Sequence, residues 1–200
     1  MKEAWKFLAI AVGAAVVIIF GTLLVLFYIF TGNVGNYSKK DLIQNYDRHW
    51  REINEVKRYM TSITPINDTV EIEFASDNEL DTFYLNRESN ANLKIDSPKT
   101  DSLLRKLGWT KEKLVTLKAK LDDANCTSVS TGEPFTVGYQ QNGLGMYYYK
   151  IFSKPLNDSL KREYNNGCEY IFYKDNIVLA YEGGAIGMQC FEDYYKNKNN

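Results

Sequence analysis

Three patterns of apolar and polar residues follow one another along the chain. Phe7 to Phe30 are 24 consecutive positions without a charged side chain. From Leu42 through Tyr46, His49, Ile53, Val56 and Met60 to Ile63, apolar or aromatic positions then recur at alternating spacings of four and three, which lines up one side of a helix. After Thr64-Pro65 the period drops to two: Val70, Ile72 and Phe74 alternate with Thr69, Glu71 and Glu73, the signature of a half-buried strand.

The uncharged run predicts a transmembrane anchor. At ~1.5 Å per residue it makes a helix of about 36 Å, enough to cross a ~30 Å hydrocarbon core with some tilt. Trp5 before it and Tyr28 and Tyr37 near its other end suit the headgroup layers. The run is longer than a signal-peptide core and leaves through Ile29-Phe30-Thr31-Gly32-Asn33, which offers no small-x-small cleavage site. Ala9 with Gly13, and Ala11 with Ala15, are small residues four apart that permit weak self-association through the membrane helix. Lys2 and Lys6 at one end nearly balance Lys39 and Lys40 at the other. A short basic tail stays inside readily and long domains translocate regardless of charge, so the C-terminal domain is expected outside the cytoplasm, periplasmic or extracellular. The expected organisation is a tail at 1–6, an anchor at 7–30, a connector at 31–37, one globular domain at 38–195 and a frayed tail at 196–200.

Within that domain Ser38 is a helix cap with Asp41 in the first turn, and Asp47, Arg51 and Glu55 are spaced for i, i+4 pairing. Thr64-Pro65 ends the helix. Further strands are expected at 81–87 and 92–96. Ser97-Pro98 and Gly108 bracket a short helix, and Thr110 caps another that ends near Asn125, with Leu114, Leu117 and Leu121 on one face. Phe135, Val137 and Tyr139 alternate before Asn142-Gly143, a hairpin signal, and Tyr147 to Phe152 form the partner strand. A short helix over 155–164, strands over 169–173 and 177–181, and a glycine-bearing strand or loop over 183–191 complete the chain. The fold class is α+β: an antiparallel sheet with three to four helices packed on it.

Composition narrows the chemistry. Beyond residue 30 there are 22 Lys and Arg against 24 Asp and Glu, so no basic face is implied and nucleic acid is not an expected partner. Abundant Asn, Lys, Tyr and Ile fit an AT-rich, bacterial genome. His49 is the sole histidine, which excludes His-based metal triads and places imidazole-dependent catalysis only on the first helix. No metal site, cofactor or catalytic set is expected. Asp77, Glu79, Asp81 and Glu88 have EF-hand-like spacing, but Thr82 stands where that loop needs glycine. Gly183-Gly184-Ala185-Ile186-Gly187 lacks the lysine that ends a phosphate loop. Asn36, Asn67, Asn125 and Asn157 head Asn-x-Ser/Thr triplets, relevant only where the host glycosylates exported chains.

Cys126, Cys168 and Cys190 include no C-x-x-C pair. In an oxidising compartment Cys168 with Cys190 is the preferred disulfide, because one hairpin separates them, and closing that loop stabilises by about 3 kcal/mol in the chain-entropy view. Three reduced, buried cysteines are the alternative. The last third of the chain is rich in tyrosine, and Tyr147, Tyr148, Tyr149, Tyr170 and Tyr173 form the candidate binding surface, since tyrosine gives contact area at low entropic cost. Strand alternation puts Tyr148 on one face and Tyr147 and Tyr149 on the other, and one of the two faces must be core.

The expected role is that of a single-pass, membrane-anchored extracytoplasmic domain that binds, inhibits or scaffolds a macromolecular partner at the cell envelope, without catalysis. The lipid bilayer and an envelope protein are its expected partners. Two other classes remain: a membrane-tethered envelope hydrolase working through carboxylates such as Glu71, Glu73, Glu169 and Glu182, and a structural or sensory module driven by the juxtamembrane helix.

Overall fold

The computed structural model describes residues 18–23, 37–142, 145–183 and 190–194. The chain divides into two compact units, Met1–Asn36 and Tyr37–Asn200. In the first, residues 18–23 are helical and carry Ile18, Ile19, Phe20 and Leu23 with exposed side chains. The remainder of the expected span Phe7 to Phe30, its small-residue pairs, the tail at 1–6, the connector up to residue 36, Gly143, the run Gly184 to Gly187 and the tail at 196–200 lie outside the described residues. Among the described residues no helix is long and apolar enough to cross a membrane.

The second unit begins with helix α1, Lys39–Ile63. Strands β1 (Val70–Ser76), β2 (Glu79–Leu85) and β3 (Glu88–Lys94) follow, then helices α2 (Pro98–Leu107) and α3 (Lys111–Asp123). Strands β4 (Ser128–Ser130), β5 (Phe135–Asn142) and β6 (Gly145–Ile151) come next, then helix α4 (Asp158–Glu163), and strands β7 (Tyr170–Lys174) and β8 (Ile177–Glu182). The strands make one eight-stranded sheet in the order β3-β2-β1-β4-β5-β6-β8-β7. Every pairing in it is antiparallel.

Local chemistry sets the helix boundaries. Ser38 and Asp41 form a reciprocal capping box at α1, which satisfies N–H groups that the first turn leaves free. Hydrogen bonding to Ser38 holds the Asp41 carboxyl below its usual range. The Ser97 and Thr110 side chains cap α2 and α3 by accepting from the amides of Thr100 and Lys113. Gly108 closes α2 with φ 66°, a left-handed position where a side chain is strained.

Register then builds the core. Phe83, Ile72, Val129, Val137, Tyr149, Leu179 and Ile171 stand opposite one another across seven strands. The apolar sides of α1 (Leu42, Tyr46, Ile53, Val56, Met60), α2 (Leu103, Leu104, Leu107) and α3 (Leu114, Leu117, Leu121) cover this face in one continuous core. The α1 stripe is thereby buried within its own domain. The inner side of α1 also carries Asn45. Its amide donates to Ala124 O at 3.2 Å and Tyr149 Oη at 3.0 Å, and its oxygen accepts from Asn125 at 2.9 Å. Such a satisfied buried network fixes one docking of helix on sheet.

Several details depart from the sequence reading. The second strand starts at Glu79, and β3 occupies 88–94 because Asn86-Arg87 form a tight turn joining Leu85 to Glu88. Asn86 has φ 58°, a conformation that asparagine tolerates. The three-residue strand β4 was not anticipated; Val129 is its one buried large apolar side chain. His49 is half-buried at a kink with φ −117° and ψ 21°. In place of the expected Asp47–Arg51 and Arg51–Glu55 pairs these side chains meet other partners. Asp47 accepts from Tyr173 at 2.7 Å and Lys174 at 3.2 Å, Glu55 meets Arg58 and Lys120, and Arg51 lies over Trp50.

Candidate functional site on the open face of the sheet

The opposite face of the sheet is polar. Its central row reads Thr82, Glu73, Ser128, Gly138, Tyr148, Ala180 and Tyr170 across adjacent strands. Beside it run Tyr84, Glu71, Ser130, Thr136, Lys150, Val178 and Phe172. Among the described residues the β8-β7 end is covered, where Phe152, Leu156 and Val178 pack with Leu160, Tyr164, Tyr170 and Phe172 in a small second cluster. Among the described residues no helix lies on the β1-β4-β5-β6 part, where Glu71, Glu73, Tyr148 and Lys150 are half-buried and Ser128 and Met146 are buried.

Gly138 sets the relief of this face. A Cβ there would meet Ser128 Oγ at 1.9 Å and Met146 Sδ at 2.6 Å. Its absence lets the Ser128 hydroxyl and the Met146 thioether approach to 3.4 Å. Next to them, half-buried Glu73 accepts from Gln141 Nε2 at 3.1 Å. Loss of solvation, with the like charges of Asp81 and Glu71, pushes its carboxyl up to about 7 despite that hydrogen bond. The Tyr148 phenol is raised well beyond its ordinary value by burial and by the carboxylates Glu73, Glu71 and Glu182.

A second polar group lies along the row. Lys150 pairs with Glu182 at 2.8 Å, both largely shielded. The Tyr170 hydroxyl donates to the same carboxylate, and Lys150 Nζ lies 5.7 Å from the Tyr170 ring centroid. This group is internally satisfied, whereas among the described residues no cation offsets the charge on Glu73. The open face therefore has a neutralised end at Lys150-Glu182-Tyr170 and an acidic one at Glu71-Glu73-Asp81. Among the described residues no group of three or more His, Cys, Asp or Glu is arranged to hold a metal ion.

The five sequence-chosen tyrosines are dispersed by this geometry. Tyr148 lies on the helix-free part of this face and Tyr170 at its covered β8-β7 end, both half-buried. Tyr147 and Tyr149 are 1% and 0% exposed and cannot form a contact surface in this fold. Tyr147 packs against Tyr181 and Phe191, and the Tyr149 hydroxyl donates to Leu42 O at 2.9 Å. They share the face of Val137 and Tyr139, which the helices cover. Tyr173 also lies on the helix side, against Tyr46, and burial together with its bond to Asp47 pushes its phenol up to about 12. Of the four carboxylates considered for catalysis, Glu71, Glu73 and Glu182 share the open face, while half-buried Glu169 precedes β7. Ser128, Gly138, Gln141, Met146 and Lys150 were not singled out from sequence. The Glu71-Ile72-Glu73 alternation was the available signal that a polar face existed. A disulfide joins Cys168 and Cys190, whose Cα atoms are 4.1 Å apart.

A depression of about 470 Å³ lies between the end of α1 and the β4-β5 connection, lined by residues that include Lys57, Thr64, Asp68, Glu133 and Phe135. Burial lowers the Lys57 amine against the opposing effect of Glu133. Charges of both signs line the depression, and it selects no charge class. Comparison with protein-family models, curated proteins and solved structures finds no match.

Proposed function

We propose that the chain is a membrane-anchored, extracytoplasmic binding domain whose open sheet face receives basic side chains of a protein partner at the cell envelope, with no catalysis of its own. The observation that carries this reading is the Glu71-Glu73-Asp81 end of the face. There a half-buried carboxylate is held at about 7 by desolvation and like charges, and among the described residues no cation offsets them. A lysine or arginine from a partner would offset that repulsion, and the adjacent Tyr148 would supply the aromatic contact that such cations favour. The Cys168–Cys190 disulfide suits an oxidising compartment. The exposed Ile18, Ile19, Phe20 and Leu23, within an uncharged run of 24 residues, suit a lipid environment.

Binding of short Arg-rich and Glu-rich peptides of equal length to the full chain in detergent micelles tests the proposal. The Arg-rich peptide is expected to bind at least about tenfold more tightly, a difference of about 1.4 kcal/mol. The E71Q/E73Q/D81N variant should lose that preference. Equal binding of the two peptides, or an unchanged preference in the variant, overturns the reading. In cells, a photo-crosslinker at position 148 should trap an envelope protein that a crosslinker at buried position 149 does not.

A second reading rests on the same carboxyl. An acid near 7 with a second carboxylate on its strand is suited to general acid-base work on an envelope polymer. Turnover abolished by Glu73→Gln, with peptide binding retained, would favour it over the binding domain.

A further inference from the structure

The described chain ends in a short segment, 190–194, fixed to parts of the domain distant in sequence. Cys190 is bonded to Cys168, and the Phe191 amide donates to Cys168 O at 2.9 Å. The Phe191 ring is 0% exposed. It stacks on Tyr147 with centroids 5.6 Å apart and lies 6.0 Å from Tyr181. Glu192 Oε1 accepts the backbone amide of Lys39 at 3.1 Å, and its other oxygen accepts the Tyr147 hydroxyl at 3.4 Å. Asp193 pairs with the Lys39 ammonium.

Two of these contacts bear on the start of α1. Lys39 is the first residue of that helix, where backbone N–H groups lack intrahelical partners and the helix dipole favours negative charge. Glu192 therefore completes from outside the cap that Ser38 and Asp41 begin. Phe191 fills an aromatic slot whose walls are Tyr147 and Tyr181. One buried ring and two carboxylates must offset the conformational entropy lost on ordering the segment. A covalent tether favours the ordered state by keeping the segment at high local concentration beside its slot.

We infer that the Cys168–Cys190 disulfide is the latch of a redox-sensitive clasp. Oxidised, it seats Phe191 and lets Glu192 hold the first turn of α1; reduced, it releases the segment, opening the Tyr147-Tyr181 slot and freeing the Lys39 amide. Half-buried Cys190 is more accessible than Cys168, which is 5% exposed. A dithiol reductant attacks there through one thiolate, forming a mixed disulfide with Cys190 and expelling the Cys168 thiolate, which takes up a proton. The reductant's second thiol then loses its proton and attacks the mixed disulfide. This leaves an oxidised reductant and two cysteine thiols, with two electrons transferred in all.

Hydrogen exchange followed by mass spectrometry on the full chain in detergent micelles tests the clasp, comparing oxidised, dithiothreitol-reduced and C168S/C190S protein, with thiols counted in each. Exchange in 191–194 and at the first turn of α1 should rise at least tenfold in the reduced protein and in the variant, while β1 and β8 keep their protection. Phe191→Ala should loosen the same first turn with the disulfide intact. Unchanged protection of that turn after complete reduction overturns the proposal. Equal loss across every strand also does so, by making the disulfide a staple of the whole fold, as do three free thiols in native oxidised protein.

Discussion

Asp81 and Glu71 surround Glu73 with negative charge, and one amide hydrogen bond, from Gln141 at 3.1 Å, stabilises its ionised form. Its folded value of about 7 lies above the ordinary 4.5. Between those values the folded chain holds a proton that the unfolded chain has released, and stability falls as pH rises through this interval. The loss is complete above about pH 7 and absent below about pH 4.5. Glu73→Gln removes the titration while keeping the shape. After allowance for solvent screening, the variant should be more stable than the parent at pH 8 by on the order of 1–2 kcal/mol and nearly equal to it at pH 4.5. Urea denaturation at the two pH values measures the difference. A variant less stable than the parent at pH 8 would show that the carboxylate has a stabilising partner.

The elements differ in how far their own residues specify them. The starts of α1, α2 and α3 follow from Ser38, Ser97 and Thr110, whose side chains accept from backbone amides three residues on, and such signals are readable in a single stretch of chain. Strand β4 is different. Its three residues pair with Glu71 to Glu73 on one side and Thr136 to Gly138 on the other, so its existence depends on neighbours remote in sequence. The same dependence hid half of the open face. Alternation separated Tyr148 from Tyr147 and Tyr149, but which side the helices cover is set by α1, through Asn45 and Leu42 meeting Tyr149. Gly138 resembled any strand glycine until register placed Ser128 and Met146 over it. Gly138→Ala must displace both, and overpacking of this kind costs about 1–3 kcal/mol. Differential scanning calorimetry should show a lower melting temperature, partly restored in the S128A/G138A double variant because the 1.9 Å contact is removed. Full stability of the single variant would mean that the β4-β5 pairing yields readily.

At the scale of the whole molecule, the three cysteines offer separate readouts of local and global opening. Cys126 is the free one and is buried, with its Sγ 3.3 Å from Ala124 O. Burial pushes its thiol well above the ordinary value, more than a hydrogen bond to Asn45 lowers it. A neutral, enclosed thiol reacts only when the helix layer leaves the sheet. Oxidised native protein should therefore take up maleimide at Cys126 only on the timescale of global unfolding, slowed by the folded-to-unfolded ratio of about 10³ or more. Denaturation without reductant should expose one thiol, and with reductant three. Gly138→Ala should accelerate native labelling about tenfold for each ~1.4 kcal/mol it removes, and Glu73→Gln should retard it at pH 8. The clasp predicts a different kinetic form. After mild reduction, Cys168 and Cys190 should label rapidly while Cys126 stays slow, because the 190–194 segment leaves without opening the layer between α1, α3 and the sheet. If all three thiols instead react together, the disulfide and the core open as one cooperative unit, and no independent latch exists.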